Sequence, residues 1–183
     1  MTADQGRRQP NILITGTPGC GKSTLSELVS AATDLQNINV GQVVKDKQLH
    51  DGYIDEFDTY DLNEDKLIDE LEVVLEQNQA NGLGSIVDFH SCDLFPERWF
   101  DLVIVLVANN TVIFDRLTAR GYSEKKVQEN VECEIMQVVL DEARESYAPE
   151  IVVELKSEDT EDLESNVERI QQWIEQFRTQ HSQ

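Results

Sequence analysis

A glycine-rich octapeptide near the start of the chain has the composition of a phosphate-binding loop. Residues 16–23 read Gly-Thr-Pro-Gly-Cys-Gly-Lys-Ser and match the pattern GxxxxGK[ST] in full. Glycines let the backbone turn sharply and direct its N–H groups at an anion. In this pattern Lys22 reaches the β- and γ-phosphates of a nucleotide, and the hydroxyl of Ser23 ligates Mg²⁺. The octapeptide therefore predicts binding of ATP with Mg²⁺.

The residues on either side of this loop have the context that the motif requires. Residues 11–15, Asn-Ile-Leu-Ile-Thr, are an apolar run that predicts a buried parallel strand. The segment 24–32 has Leu25, Leu28 and Val29 at helical spacing. A chance match to a glycine-rich turn is disfavoured because a strand precedes the octapeptide and a helix follows it.

A second predicted strand, residues 85–89, supplies candidate residues for the metal and for hydrolysis. Asp88 stands near its end, where a carboxylate can hold magnesium through water. The alternative is an ordinary aspartate in a strand-end turn. His90 lies two residues further on, on the side of Asp88 if the strand continues, and there it could orient water or a phosphate. A histidine at the surface or core edge is an equally good interpretation.

Arg116 and Arg120 are spaced four residues apart on a helix predicted between Thr111 and Gly121, so they share a face. Their planar guanidinium groups match the oxygens of a transferring phosphoryl group. The alternative is a solvated helix face, with Asp115 and Glu124 as surface partners.

The remaining pattern alternates strands with helices and predicts an α/β domain with a mostly parallel sheet. The length of 183 residues suits one domain, 1–183. Periodicity does not reveal the strand order. Three further strands are predicted over 38–40, 102–107 and 150–155, and helices over 42–49, 63–81, 163–177 and, as one long helix, from Ser123 through Val138. Residues 51–61 are predicted to be acidic and irregular.

The net charge of the chain limits the kinds of partner that it can bind. There are 36 acidic and 15 basic residues, for a net charge of −21. Such a surface repels phosphate backbones, so strong direct binding of nucleic acid is not expected. A basic protein partner is compatible with it, and so is a charge that serves solubility alone. No apolar run approaches a membrane span or a secretory signal, and the three scattered cysteines predict reduced thiols of the cytosol or nucleus.

These motifs together resemble the adenylate kinase isoenzyme six family, also described as coilin-interacting nuclear ATPase proteins. The resemblance covers about residues 10–177. The matching stretches are NILITGTPGCGKST, INVG, IVDFH followed by CDLFPERWFD, RLTARGYSEKK and WIEQF. The loop is shared with many families, whereas the stretch from Asp88 to Phe100 and the RGYSEKK stretch are far more specific.

The resemblance implies a three-layer P-loop NTPase fold with a five-stranded parallel sheet flanked by helices. It adds an arm for a nucleoside monophosphate at about residues 39–62 and a short lid at about 119–129. It implies ATP and Mg²⁺ as cofactors, with a Walker B-like pair formed by Asp88 and His90. By the same likeness, ATP is bound by Gly19, Gly21, Lys22, Ser23, Thr24 and Arg120, and the monophosphate by Asn39, Val40, Gly41 and Lys45.

The family is also tied to maturation of the small ribosomal subunit through transient binding of a small-subunit ribosomal protein. The resemblance therefore implies a basic ribosomal protein as partner and a place in the nucleus and cytoplasm. An acidic run that could meet such a partner comprises Asp51, Asp55, Glu56, Asp58, Asp61, Glu64 and Asp65.

Two positions depart from the family pattern. Lys45 stands where the arm usually has an arginine, so a point charge replaces a bidentate fork and predicts weaker affinity for the acceptor. Phe89 replaces the tyrosine of the usual Asp-Tyr-His and removes a hydroxyl. The zinc-bearing lid of some bacterial adenylate kinases is not expected, because no set of cysteines could bind zinc.

Three functions remain open at this point. The first is a kinase that transfers a phosphoryl group from ATP to AMP or a similar monophosphate, with ATPase activity beside it. The second is an ATP-driven ribosome assembly factor with little kinase role. The third is a small-metabolite kinase of the same fold, of the shikimate type.

Overall fold

Five short strands form a parallel sheet at the centre of the chain, as described by a computed structural model that covers residues 7–57 and 59–182. The strands are β1 (Asn11–Gly16), β2 (Gln36–Asn39), β5 (Ser85–Asp88), β6 (Leu102–Val107) and β7 (Val152–Lys156). They lie side by side in the order β2-β5-β1-β6-β7, and each neighbouring pair is parallel. The α/β fold class and the five-stranded parallel sheet predicted from the sequence are confirmed.

Helices cover both faces of this sheet. They are α1 (Lys22–Thr33), α2 (Val40–Asp46), α3 (Glu64–Ala80), α4 (Asn110–Ala119), α5 (Glu124–Ile135), α6 (Val138–Ser146) and α7 (Thr160–Gln180). Most begin at a polar residue whose side chain accepts the N–H of a residue in the first turn, as Asn39, Asn63 and Ser123 do.

Alternate residues of the strands face two separate cores, because successive side chains of a strand point to opposite faces. On one face, Leu13, Val87, Val103 and Val105 pack with residues of α3 and α6. On the other, the isoleucines of the same strands pack with residues of α1, α4 and α7. Burial on both faces explains why these strands are continuous apolar runs, and each fully buried aliphatic side chain stabilises the fold by about 1.5–3 kcal/mol.

The expectation of irregular structure over residues 51–61 was wrong. Strands β3 (His50–Ile54) and β4 (Thr59–Leu62) form an antiparallel hairpin, with a short 3-10 turn at Asp55–Phe57 between them. Tyr53 and Tyr60 are cross-strand partners whose ring centroids lie 5.2 Å apart. Aromatic pairs of this kind stabilise a hairpin even when its other residues are acidic. The high charge of the segment made its strand pattern hard to recognise in the sequence.

The expectation of one long helix from Ser123 through Val138 was also wrong. This segment forms two helices, α5 and α6, which are separated by Met136 and Gln137. Gln137 has a left-handed φ of 54°. Val127 is buried as expected, but Ile135 is 58% exposed and Val138 37% exposed. The chain turns here to pass from one face of the sheet to the other, so the apolar repeat does not stay on one stripe.

The polar residues singled out above lie at the carboxyl ends of the strands. In the β2–β5 ladder Asn39 pairs with Asp88, and in the β1–β5 ladder Ile14 pairs with Asp88. The glycine-rich loop follows β1 at the same edge. Among residues 7–57 and 59–182, no helix combines the length and the apolar character needed to cross a bilayer.

Candidate active site

The loop between β1 and α1 has a backbone that only glycine fits at its key positions. Gly16 has a φ of 148°, and a Cβ there would lie 2.7 Å from the carbonyl oxygen of Leu106. Gly19 has a φ of 93°, and its Cβ would lie 3.2 Å from Leu117. Side chains would therefore collide with the end of β6 and with α4. The glycines let the loop lie close against both elements while it leads into α1.

Lys22, the first residue of α1, folds back over this loop. Its Nζ donates to the carbonyl oxygens of Gly16 at 2.8 Å and of Thr17 at 3.3 Å. Desolvation lowers the pKa of Lys22, and the charge of Arg120 acts in the same direction, whereas Asp88 and Glu134 oppose both. The loop thus holds a cation at the point where the motif places nucleotide phosphates.

Ser23 and Asp88 come together although 65 residues separate them in the chain. The Oγ of Ser23 donates to Oδ2 of Asp88 at 2.6 Å. The Nδ2 of Asn39 donates to the same Oδ2 at 2.9 Å and to Oγ of Ser23 at 3.2 Å. The serine of the loop, the aspartate of β5 and the asparagine of β2 therefore form one hydrogen-bonded cluster, called the Ser23–Asp88–Asn39 cluster below.

The carboxylate of Asp88 is almost completely buried, with 3% of the residue exposed. Desolvation raises its pKa, while the bonds from Ser23 and Asn39 and the charge of Lys22 lower it in part. A buried carboxylate beside a cation and two donors is the environment that a metal ion would complete.

The cluster fits Mg²⁺ better than a metal that needs a full set of protein ligands. Mg²⁺ is held by oxygens, commonly by one or two protein groups together with waters and nucleotide phosphates. Ser23 and Asp88 supply such oxygens beside the phosphate loop. In the described part of the chain, no group of three or more His, Cys, Asp or Glu side chains is placed to hold a metal.

His90 lies beyond the end of β5, so the strand-alternation argument that put it beside Asp88 does not apply to it. Its ring lies 4.5 Å from that of Phe89, and its carbonyl oxygen accepts from Oγ1 of Thr15 at 3.3 Å. The residue is exposed over part of its surface, yet desolvation and then the charge of Lys22 lower the pKa of its ring to about 4. The imidazole is therefore neutral at pH 7 and can accept a proton or a hydrogen bond.

Arg116 braces the backbone around the loop. Its guanidinium donates to the carbonyl oxygens of Gly19 at 3.1 Å, Ser157 at 2.9 Å and Glu158 at 3.0 Å. The partners expected on a solvated helix face, Asp115 and Glu124, are not the ones it uses here. The predicted part of Arg116 in phosphoryl transfer stays a prediction.

Arg120 differs from Arg116 although both belong to the same helical face. It is the C-terminal cap of α4 and is exposed. Its charge lowers the pKa of Lys22, so it lies within electrostatic reach of the loop. A guanidinium that is exposed near the phosphate position suits contact with a bound nucleotide, which stays a prediction.

The residues predicted to hold the monophosphate are placed at the start of the arm. Val40 is fully buried and Gly41 is partly buried at the beginning of α2, whereas Lys45 is exposed in its last turn. Thr24 is exposed on the first turn of α1. The structure brings Asn39 into contact with Ser23 and Asp88, and the acceptor contacts of the other three arm residues stay predictions.

Two carboxylates at this site were not anticipated from the sequence. Glu134 of α5 accepts from the N–H of Ala108 at 2.9 Å and from Sγ of Cys20 at 3.8 Å. Glu158 accepts from the N–H of Asn109 at 2.9 Å. Both carboxylates connect the end of β6 to neighbouring elements through hydrogen bonds. The sequence gives no local motif for either residue, because the chain is rich in glutamate.

The site combines a phosphate loop with a buried aspartate on the adjacent strand β5 and with two arginines at α4. This combination is that of a P-loop kinase of the α/β class. A family model described as an AAA domain matches residues 12–137. The chain is 49% identical to the adenylate kinase isoenzyme 6 homolog of Schizosaccharomyces pombe, covering 97% of this chain and 99% of that one. It is 50% identical to the homolog of Dictyostelium discoideum, with 93% and 95% covered.

The chain belongs to the adenylate kinase isoenzyme 6 family, which confirms the resemblance seen in the sequence. Among solved structures, a shikimate kinase from Bacteroides thetaiotaomicron matches with a TM-score of 0.53 and 16% identity, over 91% of this chain and 99% of that one. At that identity the likeness establishes the shared fold alone.

Proposed function

We propose that the chain transfers the γ-phosphoryl group of Mg²⁺-bound ATP to AMP or a similar nucleoside monophosphate, and that it also hydrolyses ATP. With AMP the products are two molecules of ADP. The Ser23–Asp88–Asn39 cluster beside Lys22 is the observation that supports this most directly. It combines a phosphate loop, a carboxylate suited to magnesium and the first residue of the predicted arm at one edge of the sheet.

In the proposed reaction each residue takes a separate part. The loop N–H groups and Lys22 bind the β- and γ-phosphates, and Arg120 meets the charge that develops on the transferring group. Ser23 and Asp88 would hold Mg²⁺, which would supply positive charge beside the phosphates. The neutral ring of His90 accepts a hydrogen bond from the attacking water in hydrolysis. Lys45 binds the acceptor phosphate with a single point charge.

The test is ADP formation from ATP, with and without each nucleoside monophosphate, in the presence of Mg²⁺. Stimulation by a monophosphate supports the kinase. Stimulation only by a small polar metabolite would identify the third function considered above, and ATP consumption that no acceptor stimulates would leave an ATPase alone.

Binding of a bisubstrate analogue gives a second test that does not depend on turnover. Two phosphate-bearing ligands must meet in line with water excluded, so the arm and lid are expected to close over both. Two adenosines linked by five phosphates should bind more tightly than ATP by calorimetry. Equal affinity would show that there is no monophosphate site.

The second candidate is an ATP-driven role in small ribosomal subunit maturation, in the nucleus and cytoplasm, through a basic ribosomal protein. The net charge of −21 and the exposed acids of the β3–β4 hairpin favour it. Of the acids singled out in the sequence, Asp58 lies outside the described residues. A nucleotide can drive such binding only as far as its affinity differs between the partner-bound and free states.

Affinity for a purified basic small-subunit ribosomal protein tests this role, measured at two salt concentrations with an ATP analogue and with ADP. We expect weaker binding at high salt and a dependence on nucleotide, and we expect His90→Ala to slow hydrolysis more than it weakens ATP binding. Binding that ignores both salt and nucleotide would remove the assembly role and leave a metabolic kinase.

A matched pair of charge variants locates the contact. One variant neutralises Asp55, Glu56 and Asp61 of the hairpin region, and the other neutralises three exposed acids of α7, Glu164, Glu168 and Glu175. Both change the net charge equally. Loss of partner affinity in the first alone would assign the contact to the arm, whereas equal loss in both would indicate a general charge effect.

A further inference from the structure

Asn39 makes contacts of two different kinds at the junction of the sheet and the arm. It is the last residue of β2 and the N-terminal cap of α2. Its Oδ1 accepts from the backbone N–H of Gln42 at 2.9 Å. Its Nδ2 donates to Oδ2 of Asp88 at 2.9 Å and to Oγ of Ser23 at 3.2 Å.

The chemistry of these partners determines which way the amide group faces. A backbone N–H can only donate, so the oxygen of Asn39 must face Gln42. The amino group must then face Asp88, whose carboxylate can only accept when ionised. The helix cap therefore selects the amide orientation that presents the amino group to Asp88 and Ser23.

These contacts use one of the two N–H donors of the side chain. Oγ of Ser23 and Oδ2 of Asp88 lie only 2.6 Å apart, so both lie on the same side of Nδ2 and share a single N–H, whose shorter contact is with Asp88. The other N–H points away from this pair, so the acceptor contact that the family resemblance implies for Asn39 is compatible with the bond to Asp88.

We propose that Asn39 is a positioning residue that orients Asp88 and Ser23 for Mg²⁺ through its amino group while its oxygen holds the first helix of the arm. The proposal rests on the proposed use of Mg²⁺-bound nucleotide. Register partners at the ends of adjacent strands, Asn39 and Asp88, are held together by the sheet itself. Partners of this kind behind a metal ligand typically contribute 10- to 100-fold to metal affinity.

Two substitutions separate the two contacts. Asn39→Ser keeps a side-chain oxygen that caps a helix well, but it lacks the amino group that reaches Asp88. Asn39→Ala removes both the cap and the amino group. A role limited to capping would leave the serine variant like the unaltered protein, whereas a positioning role would impair both variants.

Asn63 offers a matched control. It caps α3 by accepting from the N–H of Lys66 at 3.0 Å, and its Nδ2 donates to both carboxylate oxygens of Asp51 at 3.1 and 3.0 Å. It therefore combines the same two kinds of contact at another helix, with no bond to Ser23 or Asp88. We expect Asn63→Ala to lower the melting temperature without changing the effect of Mg²⁺ on nucleotide binding.

The measurement is the Kd of ADP by calorimetry, with Mg²⁺ and with a chelator, for the unaltered chain and the three variants. We expect the tightening of ADP binding by Mg²⁺ to fall about 10-fold or more in both Asn39 variants. We expect the melting temperature to fall in Asn39→Ala and Asn63→Ala, and to fall less in Asn39→Ser, which keeps the cap and loses only the bond to Asp88. Activity is not needed for either readout.

The outcomes separate this inference from the proposed function. If Mg²⁺ tightens ADP binding equally in the unaltered chain and in Asn39→Ser, Asn39 does not position the metal ligands and the inference is wrong. If Mg²⁺ has no effect on the unaltered chain, the proposed use of Mg²⁺ with the nucleotide is itself wrong. Loss of the Mg²⁺ effect in both Asn39 variants, with Asn63→Ala unaffected, supports the inference.

Discussion

Lys22 is the residue on which the proposed chemistry depends most. Its ammonium group is desolvated and anchored on two loop carbonyl oxygens, so it is held in place before a nucleotide arrives. Loss of one oriented cation at a transferring phosphoryl group commonly costs about 10²–10³ in rate. We predict a loss of that size in the ATP turnover of Lys22→Ala, measured by ADP formation.

The control for this prediction is Lys66→Ala, which removes an exposed lysine of α3 that pairs with Asp51. Its turnover should match that of the unaltered chain. Near-normal turnover in Lys22→Ala would overturn the assignment of the phosphate loop.

Arg116 and Arg120 should respond differently to the same substitution. Arg116→Lys loses bonds from a planar, charged fork to backbone carbonyls, each worth about 1.5–3 kcal/mol, so its melting temperature should fall. Arg120→Lys should keep its melting temperature and lose kcat, because a point charge cannot reproduce bidentate contact with a phosphoryl group. Thermal unfolding and steady-state kinetics of both variants check this. An unchanged kcat in Arg120→Lys would show that Arg120 is only a surface charge with no part in phosphoryl transfer.

At the scale of the element, the turn between α5 and α6 contains a backbone conformation that suits glycine. Gln137 has a φ of 54°, which costs roughly 1–2 kcal/mol for a residue with a Cβ. Gln137 is exposed, so few contacts would be lost on its replacement. We predict that Gln137→Gly raises the free energy of unfolding by about 0.5–1 kcal/mol, measured by denaturant titration.

An exposed glutamine inside α5 gives the opposite control. Gln128→Gly places glycine in a regular helix and should lower the free energy of unfolding by about 1 kcal/mol. Destabilisation of the same size by both substitutions would mean that the turn does not have the left-handed conformation.

At the scale of the whole molecule, burial makes two of the three cysteines, Cys20 and Cys92, unreactive. Burial raises the pKa of Cys20 to about 12, and the charge of Glu134 adds to it. Burial likewise raises the pKa of Cys92 to about 12. At pH 8 the reactive thiolate is then on the order of 10⁻⁴ of each thiol. Cys133 is only partly buried and has a smaller rise in pKa.

We predict that a thiol reagent at pH 8 modifies Cys133 first, and Cys20 and Cys92 only after unfolding. Counting modified thiols by mass spectrometry, with and without denaturant, measures this. Cys133→Ser should leave the folded chain essentially unmodified over the same time. Rapid modification of Cys20 in the folded chain would show that the phosphate loop opens readily.

The sequence by itself determined the features that depend on local patterns. The octapeptide is recognisable because its glycines, lysine and serine are adjacent in the chain, and the apolar runs at β1, β5 and β6 are recognisable because burial on both faces leaves no polar positions. The fold class follows from the alternation of strands with helices. The hairpin over His50–Leu62 was missed because its charged residues hide the aromatic pair that stabilises it.

Only the tertiary structure decided which distant residues meet. The neighbouring positions of β2 and β5 bring Asn39 to Asp88, and no periodicity encodes that order because any parallel arrangement buries the same apolar faces. The bonds of Arg116 to backbone carbonyls were equally invisible, since every residue has a carbonyl oxygen. Local sequence therefore supplies the chemical groups of the site, and the strand order, which depends on the packing of the whole chain, sets their geometry.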